Sequence, residues 1–164
     1  MCEPDFRIEP LRSKHNREAF TSSSEPLQRY LRNQGKQDAR KHAAVVYVLT
    51  PDGQTVAGYY TLSQFSVKLD DRPHRLAKYP DVPATLIGRL AVADTYRRQG
   101  SGEKLLLDAL ERCLVQSSHI ASCAVVVDAK DDQAKAFYQK YGFLELPGIP
   151  NRLLLPMATI EQMK

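Results

Sequence analysis

Residues 84–117 constrain the fold more than any other stretch. Thr85 to Val92 is rich in β-branched and aliphatic residues, the composition of a buried strand. The basic run Arg97-Arg98-Gln99-Gly100-Ser101-Gly102 follows it. Leu105, Leu106, Ala109, Leu110, Cys113 and Leu114 then recur at helical spacing and form one apolar stripe. Strand, basic turn and helix in that order put the outward N–H groups of a helix start beside two arginines, where an anion is stabilised. Glycines let the backbone approach a ligand closely, so a phosphate or pyrophosphate is the natural guest. Gly-x-Gly also occurs in turns that only start a helix, and on these residues alone both readings stand. The P-loop pattern is excluded, because no Lys-Ser or Lys-Thr follows the glycines. The dinucleotide fingerprint is excluded too, because Leu105 stands where its third glycine belongs.

The chain has 164 residues, 43% of them hydrophobic, which predicts one domain spanning 1–164 with a filled core. No apolar run approaches the roughly 20 residues a membrane span needs. The opening Met-Cys-Glu-Pro-Asp-Phe-Arg lacks the apolar centre of a signal peptide. The expectation is a soluble, cytoplasmic protein with no membrane partner. Cys2, Cys113 and Cys123 show no paired spacing, and His15, His42, His74 and His119 are scattered, so neither a disulfide framework nor a metal site is expected. A net charge of +4 permits a polyanionic partner without requiring one.

Along the chain, Phe6 to Leu11 reads as a first strand. A serine among Ser22-Ser23-Ser24 is placed to cap a helix that begins at Glu25-Pro26 and shows Leu27, Tyr30 and Leu31 on its apolar face. Arg29, Arg32, Lys36, Arg40 and Lys41 make the remainder basic, either a solvated face or a phosphate-contacting one. Ala44–Leu49 and Thr55–Leu62 flank Pro51-Asp52-Gly53 and form a hairpin. Ser63 to Pro83 reads as a long irregular connection carrying Arg72, Arg75 and Lys78. Cys123 to Asp128 is a short buried strand. Asp131 or Asp132 caps the next helix, whose spaced residues are Ala134, Phe137, Tyr138 and Tyr141, and Gly142 ends it. Phe143–Leu146 and Arg152–Met157 are the last strands. The order predicts one α/β domain with a mixed central sheet flanked by helices.

Two segments carry a family resemblance. The run from Arg97 to Gly102 resembles the (Gln/Arg)-x-x-Gly-x-(Gly/Ala) motif of the GNAT superfamily of N-acetyltransferases. Ala134-Lys135-Ala136-Phe137-Tyr138-Gln139-Lys140-Tyr141-Gly142-Phe143 resembles that family's Ala-x-x-Phe/Leu-Tyr-x-x-x-Gly-Phe. The resemblance implies acetyl-coenzyme A as cosubstrate, with its pyrophosphate at Arg97, Arg98, Gln99, Gly100, Ser101 and Gly102. Its pantetheine arm would lie along Leu90, Ala91 and Val92. It implies Tyr138 as the proton donor to the departing thiolate. A phenol with an ordinary pKa of about 10 is protonated at neutral pH and suits that role, although the spacing of Phe137 and Tyr141 equally fits core packing. Where many members carry an asparagine that contacts the cofactor, this chain has Asp131, which leaves that contact in doubt. No Glu or His stands out as a base, which favours an amine of low pKa, such as an α-amine at about 8, over a lysine at about 10.4.

Residues 19–31 resemble the early segment Phe-Asp-Cys-Gly-x-x-x-Leu-x-x-(Trp/Phe/Tyr)-Leu of the acetyltransferase toxins of bacterial toxin–antitoxin systems. Thr-Ser-Ser at 21–23 departs from it at Asp-Cys-Gly. Val56–Leu62, Leu86–Val92 and Arg152–Met157 are similar to segments of the same group. The resemblance implies acetylation of the α-amine of aminoacyl-tRNA, a block on translation, a ribbon-helix-helix antitoxin and a homodimer. Arg32, Lys36 and Arg40, with Arg72, Arg75, Lys78 and Arg89, are the candidate tRNA contacts, as charge partners of an RNA backbone. Two other readings remain: an acetyltransferase for a small-molecule amine or a protein N-terminus, and a non-catalytic binding module on the same fold.

Overall fold

The computed structural model describes residues 6–68 and 81–163. Its elements are β1 (Arg7–Pro10), α1 (Glu25–Asn33), α2 (Gly35–Arg40), β2 (Val45–Thr50), β3 (Gly58–Lys68), β4 (Asp81–Val92), α3 (Ser101–Gln116), β5 (Ala124–Asp128), α4 (Asp132–Lys140), β6 (Leu144–Glu145), β7 (Arg152–Pro156) and α5 (Met157–Gln162). The described strands form one seven-stranded sheet in the order β1-β2-β3-β4-β5-β7-β6. The β4–β5 pair is parallel, whereas β1–β2, β2–β3, β5–β7 and β6–β7 are antiparallel. Parallel neighbours need a long connection, and α3 lies in it. This is the mixed sheet flanked by helices that the sequence predicts. No helix among the described residues is long and apolar enough to cross a membrane.

The residues group into two compact units. One comprises the described residues of Met1–Ser63 and Arg89–Ala109, the other those of Gln64–Gly88 and Leu110–Lys164. In the first, Phe20, Tyr30, Leu31, Val46, Val48, Tyr59 and Ala91 make the core. The Asp52 turn closes its hairpin. Asp52 Oδ1 accepts the N–H groups of Gln54 and Thr55 at 2.9 and 2.7 Å, and Gly53 takes φ +86°. In the second, Val67, Val82, Ala84, Ala124, Val126, Leu146 and Leu154 pack together. Val125, Val126 and Val127 are wholly buried, as a strand covered on both faces requires.

Several expectations change. Ser63 to Pro83 is not irregular where it is described: β3 runs on to Lys68 and β4 begins at Asp81. Polar Gln64, Ser66 and Lys68 on the exposed side of β3 hid its apolar face. Pro83 sits inside β4, where a missing N–H costs nothing to its carbonyl, which accepts from Cys123 N–H at 2.8 Å. Arg72, Arg75 and Lys78 lie outside the described residues. Of the one or two helices that the sequence allows between β1 and the hairpin, the structure has two, separated at Gln34, where φ is −125°. Ser24 occupies the cap position of α1 without a side-chain bond. Instead its own N–H donates to Ser22 Oγ at 3.1 Å, and Ser22 N–H donates to Gln28 Oε1 at 3.0 Å. The 3₁₀ turn Asp94–Tyr96 and the helix α5 have no counterpart in the sequence reading.

Candidate active site

The parallel register of β4 on β5 covers Thr85–Ile87 against Val125–Val127. β4 continues past it through Arg89, Leu90, Ala91 and Val92, the residues expected beside a pantetheine arm. Ala91 is buried, and the other three are half-buried. After the 3₁₀ turn the backbone takes φ +62° at Arg98 and φ +78° at Gly100, then enters α3. A left-handed arginine is strained and unusual. Here it lets the chain reverse tightly into a helix start. A Cβ built on Gly100 would meet nothing within 4 Å. Lys104 N–H closes the first helical turn onto the Gly100 carbonyl at 3.1 Å. The N–H groups of Gln99 to Glu103 have no acceptor among the described residues. Open space, unpaired donors and the positive end of a 16-residue helix are the features an anion site at a helix start requires.

The two arginines of the turn divide the work. Arg97 donates to Ser23 Oγ and lies 3.5 Å from Asp94 Oδ1, while Asp94 Oδ1 accepts Ser23 N–H at 3.0 Å and Asp94 N–H donates to the Thr21 carbonyl at 2.9 Å. Arg97 therefore ties the approach to α1 onto the turn. Arg98 is exposed and makes no ion pair or hydrogen bond among the described residues. Gln99 reaches back to the Thr95 carbonyl only at 3.4 Å. Ser101 is buried at the first position of α3 and Gly102 is half-buried behind it. The residues present fit a pyrophosphate. Donors point outward, Arg98 is uncommitted, and Gly100 leaves the space clear.

In the other unit, α4 carries Tyr138. Asp131 starts the helix, its Oδ1 accepting Ala134 N–H at 2.7 Å. That bond commits one Asp131 oxygen to capping. Gly142 at φ +95° ends the helix as expected. The Tyr138 ring is buried between Phe137 and Phe143, with centroids 5.3 and 5.4 Å away. Its hydroxyl donates to none of the described residues. Burial lifts the phenol to about 12. The group stays a donor across the neutral range and is free to give its hydrogen bond to a ligand.

The described candidate RNA contacts differ in what they touch. Arg32 is half-buried and donates to the Phe20 carbonyl at 2.8 Å. Lys36 donates to Ser13 Oγ at 3.1 Å, and Arg40 is exposed at the end of α2. Arg89 stands on β4 with its Cζ 3.6 Å from the centroid of the Tyr30 ring. That ring contact was missed in the sequence, where Tyr30 reads only as an apolar-face residue. His15 is no base: it is buried, its Nδ1 accepts Arg12 N–H at 2.9 Å, and its Nε2 faces Glu9 Oε1 at 2.7 Å. Among the described residues no group of three or more His, Cys, Asp or Glu could hold a metal ion.

The acetyltransferase (GNAT) family profile matches residues 8–143, from β1 to the end of the Tyr138 segment. The chain belongs to the acetyltransferase (GNAT) family. This acetyltransferase is 36% identical over 141 residues to a tRNA-acetylating toxin of Mycobacterium tuberculosis, covering 85% of this chain and 84% of that one. It is 31% identical over 169 residues to a protein of Sinorhizobium fredii named probable toxin TacT, covering 95% of this chain and 93% of that one. Among solved structures it resembles AtaT complexed with acetyl-methionyl-tRNAfMet, with a TM-score of 0.91 at 26% identity, covering 97% of this chain and 99% of that one. It equally resembles a tyrosine-to-phenylalanine mutant of KacT, with a TM-score of 0.90 at 26% identity and the same coverage.

Proposed function

We propose that this acetyltransferase is a toxin that moves the acetyl group of acetyl-coenzyme A to the α-amine of aminoacyl-tRNA and so blocks translation. The observation that carries this reading is the 36% identity, over 85% of the chain, to a tRNA-acetylating toxin. The close likeness to AtaT holding acetyl-methionyl-tRNAfMet supports it, as do acetyl-coenzyme A complexes of similar structures.

The chemistry assigns the residues. The N–H groups of Gln99 to Glu103 and the free guanidinium of Arg98 take the pyrophosphate. Leu90, Ala91 and Val92 line the pantetheine arm. The neutral α-amine attacks the thioester carbonyl, the new N–C bond forms, the C–S bond breaks, and the ammonium proton leaves to water. The thiolate takes its hydrogen bond, and then its proton, from Tyr138, which is refilled from solvent. An aminoacyl ester withdraws electrons from its own amine, so a useful fraction is neutral near pH 8 without a strong base. A ribbon-helix-helix antitoxin and a homodimer complete the proposal. A solved complex of AtaT with the C-terminus of the antitoxin AtaR supports an antitoxin partner.

The test is acetyl transfer to a pool of charged tRNA, read by mass spectrometry of the aminoacyl ends, with Tyr138→Phe as control. N-acetyl-aminoacyl-tRNA that falls sharply in the mutant is expected. Intact cofactor binding with no such product would move the acceptor to a small-molecule amine or a protein N-terminus.

A further inference from the structure

Lys104 lies in the first turn of α3, where its N–H donates to the Gly100 carbonyl at 3.1 Å. A cation so near a helix start opposes the helix dipole. Helical side chains lean toward the N-terminus, so this one reaches back toward the anion turn. Two ring contacts fix where it goes. Its Nζ lies 4.9 Å from the centroid of the Phe6 ring, and that ring meets Tyr96 edge-on with centroids 5.8 Å apart. Tyr96 immediately precedes Arg97 and packs against the core of the first unit. Phe6 therefore bridges the two ends of the turn and holds the ammonium beside it. An aromatic face steadies a cation without neutralising it. Among the described residues Lys104 has no ion pair. Asp108, one helical turn further on, accepts the Tyr60 hydroxyl at 2.5 Å.

A cation kept charged at the positive end of a helix is relieved only by an anion. Acetyl-coenzyme A brings two phosphate groups to this turn. The pyrophosphate has its donors in the N–H groups of Gln99 to Glu103 and in Arg98. The 3′-phosphate on the ribose is left. As a terminal phosphate it carries roughly two negative charges, and it can be approached from any side. That suits an ammonium, a point charge with three donors, and does not need a planar fork. We propose that Lys104 is the contact for the 3′-phosphate of acetyl-coenzyme A and that Phe6 is its positioning residue. The proposal rests on the acetyl-coenzyme A reading above. Phe6 precedes the residues 8–143 that carry the family pattern, so the ring that places the lysine is no part of that pattern.

The experiment titrates the full chain calorimetrically with acetyl-coenzyme A and with acetyl-3′-dephospho-coenzyme A. The quantity read is the ratio of the second dissociation constant to the first, which is the gain from the 3′-phosphate. Lys104→Ala should lower that ratio about tenfold, the low end for a charge-assisted bond at an exposed site, and leave binding of the dephospho compound unchanged. Lys104→Arg, which keeps the charge, should retain most of the ratio. Phe6→Leu should lower the ratio, and Phe6→Tyr, which keeps the ring, should preserve it. A merely structural Phe6 would weaken both compounds alike. Arg98→Ala should also weaken both alike, because both carry the pyrophosphate. A ratio that is unmoved in Lys104→Ala, or that falls in Arg98→Ala instead, overturns the proposal. Wild-type protein that binds the two compounds equally overturns it alone and leaves the cosubstrate reading standing. Wild-type protein that binds neither overturns that reading, and this proposal with it.

Discussion

Gly58 on β3 lies so close to Ala91 on β4 that a Cβ at Gly58 would come within 2.8 Å of the Ala91 carbonyl oxygen, and equally close to Leu105 Cδ1 of α3. The first of these neighbours is backbone and cannot rotate away. Gly58→Ala should therefore push β4 outward at the residues assigned to the pantetheine arm. The expected cost is about 1–3 kcal/mol of stability, read from a denaturant midpoint, together with a raised KM for acetyl-coenzyme A. A variant with wild-type midpoint and KM would contradict the close approach.

Gly100 gives the opposite pattern. Nothing stands within 4 Å of its missing Cβ, but φ is +78°. Gly100→Ala should cost about 1–2 kcal/mol in backbone strain and place a methyl where the pyrophosphate is to lie. Arg98→Ala should raise the dissociation constant for acetyl-coenzyme A about tenfold, the low end for a charge-assisted bond at an exposed site. Arg97→Ala should instead lower thermal stability by freeing Ser23 and Asp94. Calorimetric titration beside thermal unfolding separates the two arginines, and equal effects on binding would remove the distinction drawn between them.

Tyr138→Phe should lower kcat about a hundredfold or more, the usual range for losing a general acid. It should leave stability nearly unchanged, because the hydroxyl donates to no described residue. The pH profile carries the sign. Burial raises the phenol to about 12, so the acid form persists well above neutrality. The rate should climb as the α-amine loses its proton near pH 8 and should show no descending limb up to pH 10. A fall between pH 8 and 10 that vanishes in Tyr138→Phe would mean a phenol far more acidic than its burial implies.

Glu9 anchors the chain before α1. Burial raises its carboxyl, but hydrogen bonds from His15, Lys14 and Arg7 outweigh that and bring it from 4.5 down to about 2. A group depressed in the folded state contributes stability above its unfolded pKa and loses it as pH falls through the folded value. Between about pH 4.5 and 2 the wild-type melting temperature should therefore drop more steeply than that of Glu9→Gln. Parallel melting curves over that window would show that the cluster does not act on folding.

Much of this was legible in one dimension. A buried parallel strand must be apolar on both faces, so Val125 to Val127 announce it. A residue forced to φ > 0 favours glycine, so Gly53, Gly100 and Gly142 mark their turns. A helix cap is a local bond between neighbours, so it could be narrowed to Asp131 or Asp132 before any coordinates, and the structure chooses Asp131. Pattern reading failed where a strand is half-solvated, as in Ser63 to Lys68, and left open whether the basic run is one helix or two.

The sequence by itself determined the strand–turn–helix of residues 84–117 and the order of elements around it. These depend on periodicity and on backbone conformations that only certain residues adopt. Only the tertiary structure decided which charges are free. Arg97 and Arg98 are adjacent and alike in sequence, yet one is spent on Ser23 and Asp94 while the other is left open. Arg32 turns inward to the Phe20 carbonyl, and Arg89 is held on the face of Tyr30. The reason is physical. A long cationic side chain takes its role from acceptors and rings supplied by distant parts of the chain, and these meet it only once the strands and helices have packed.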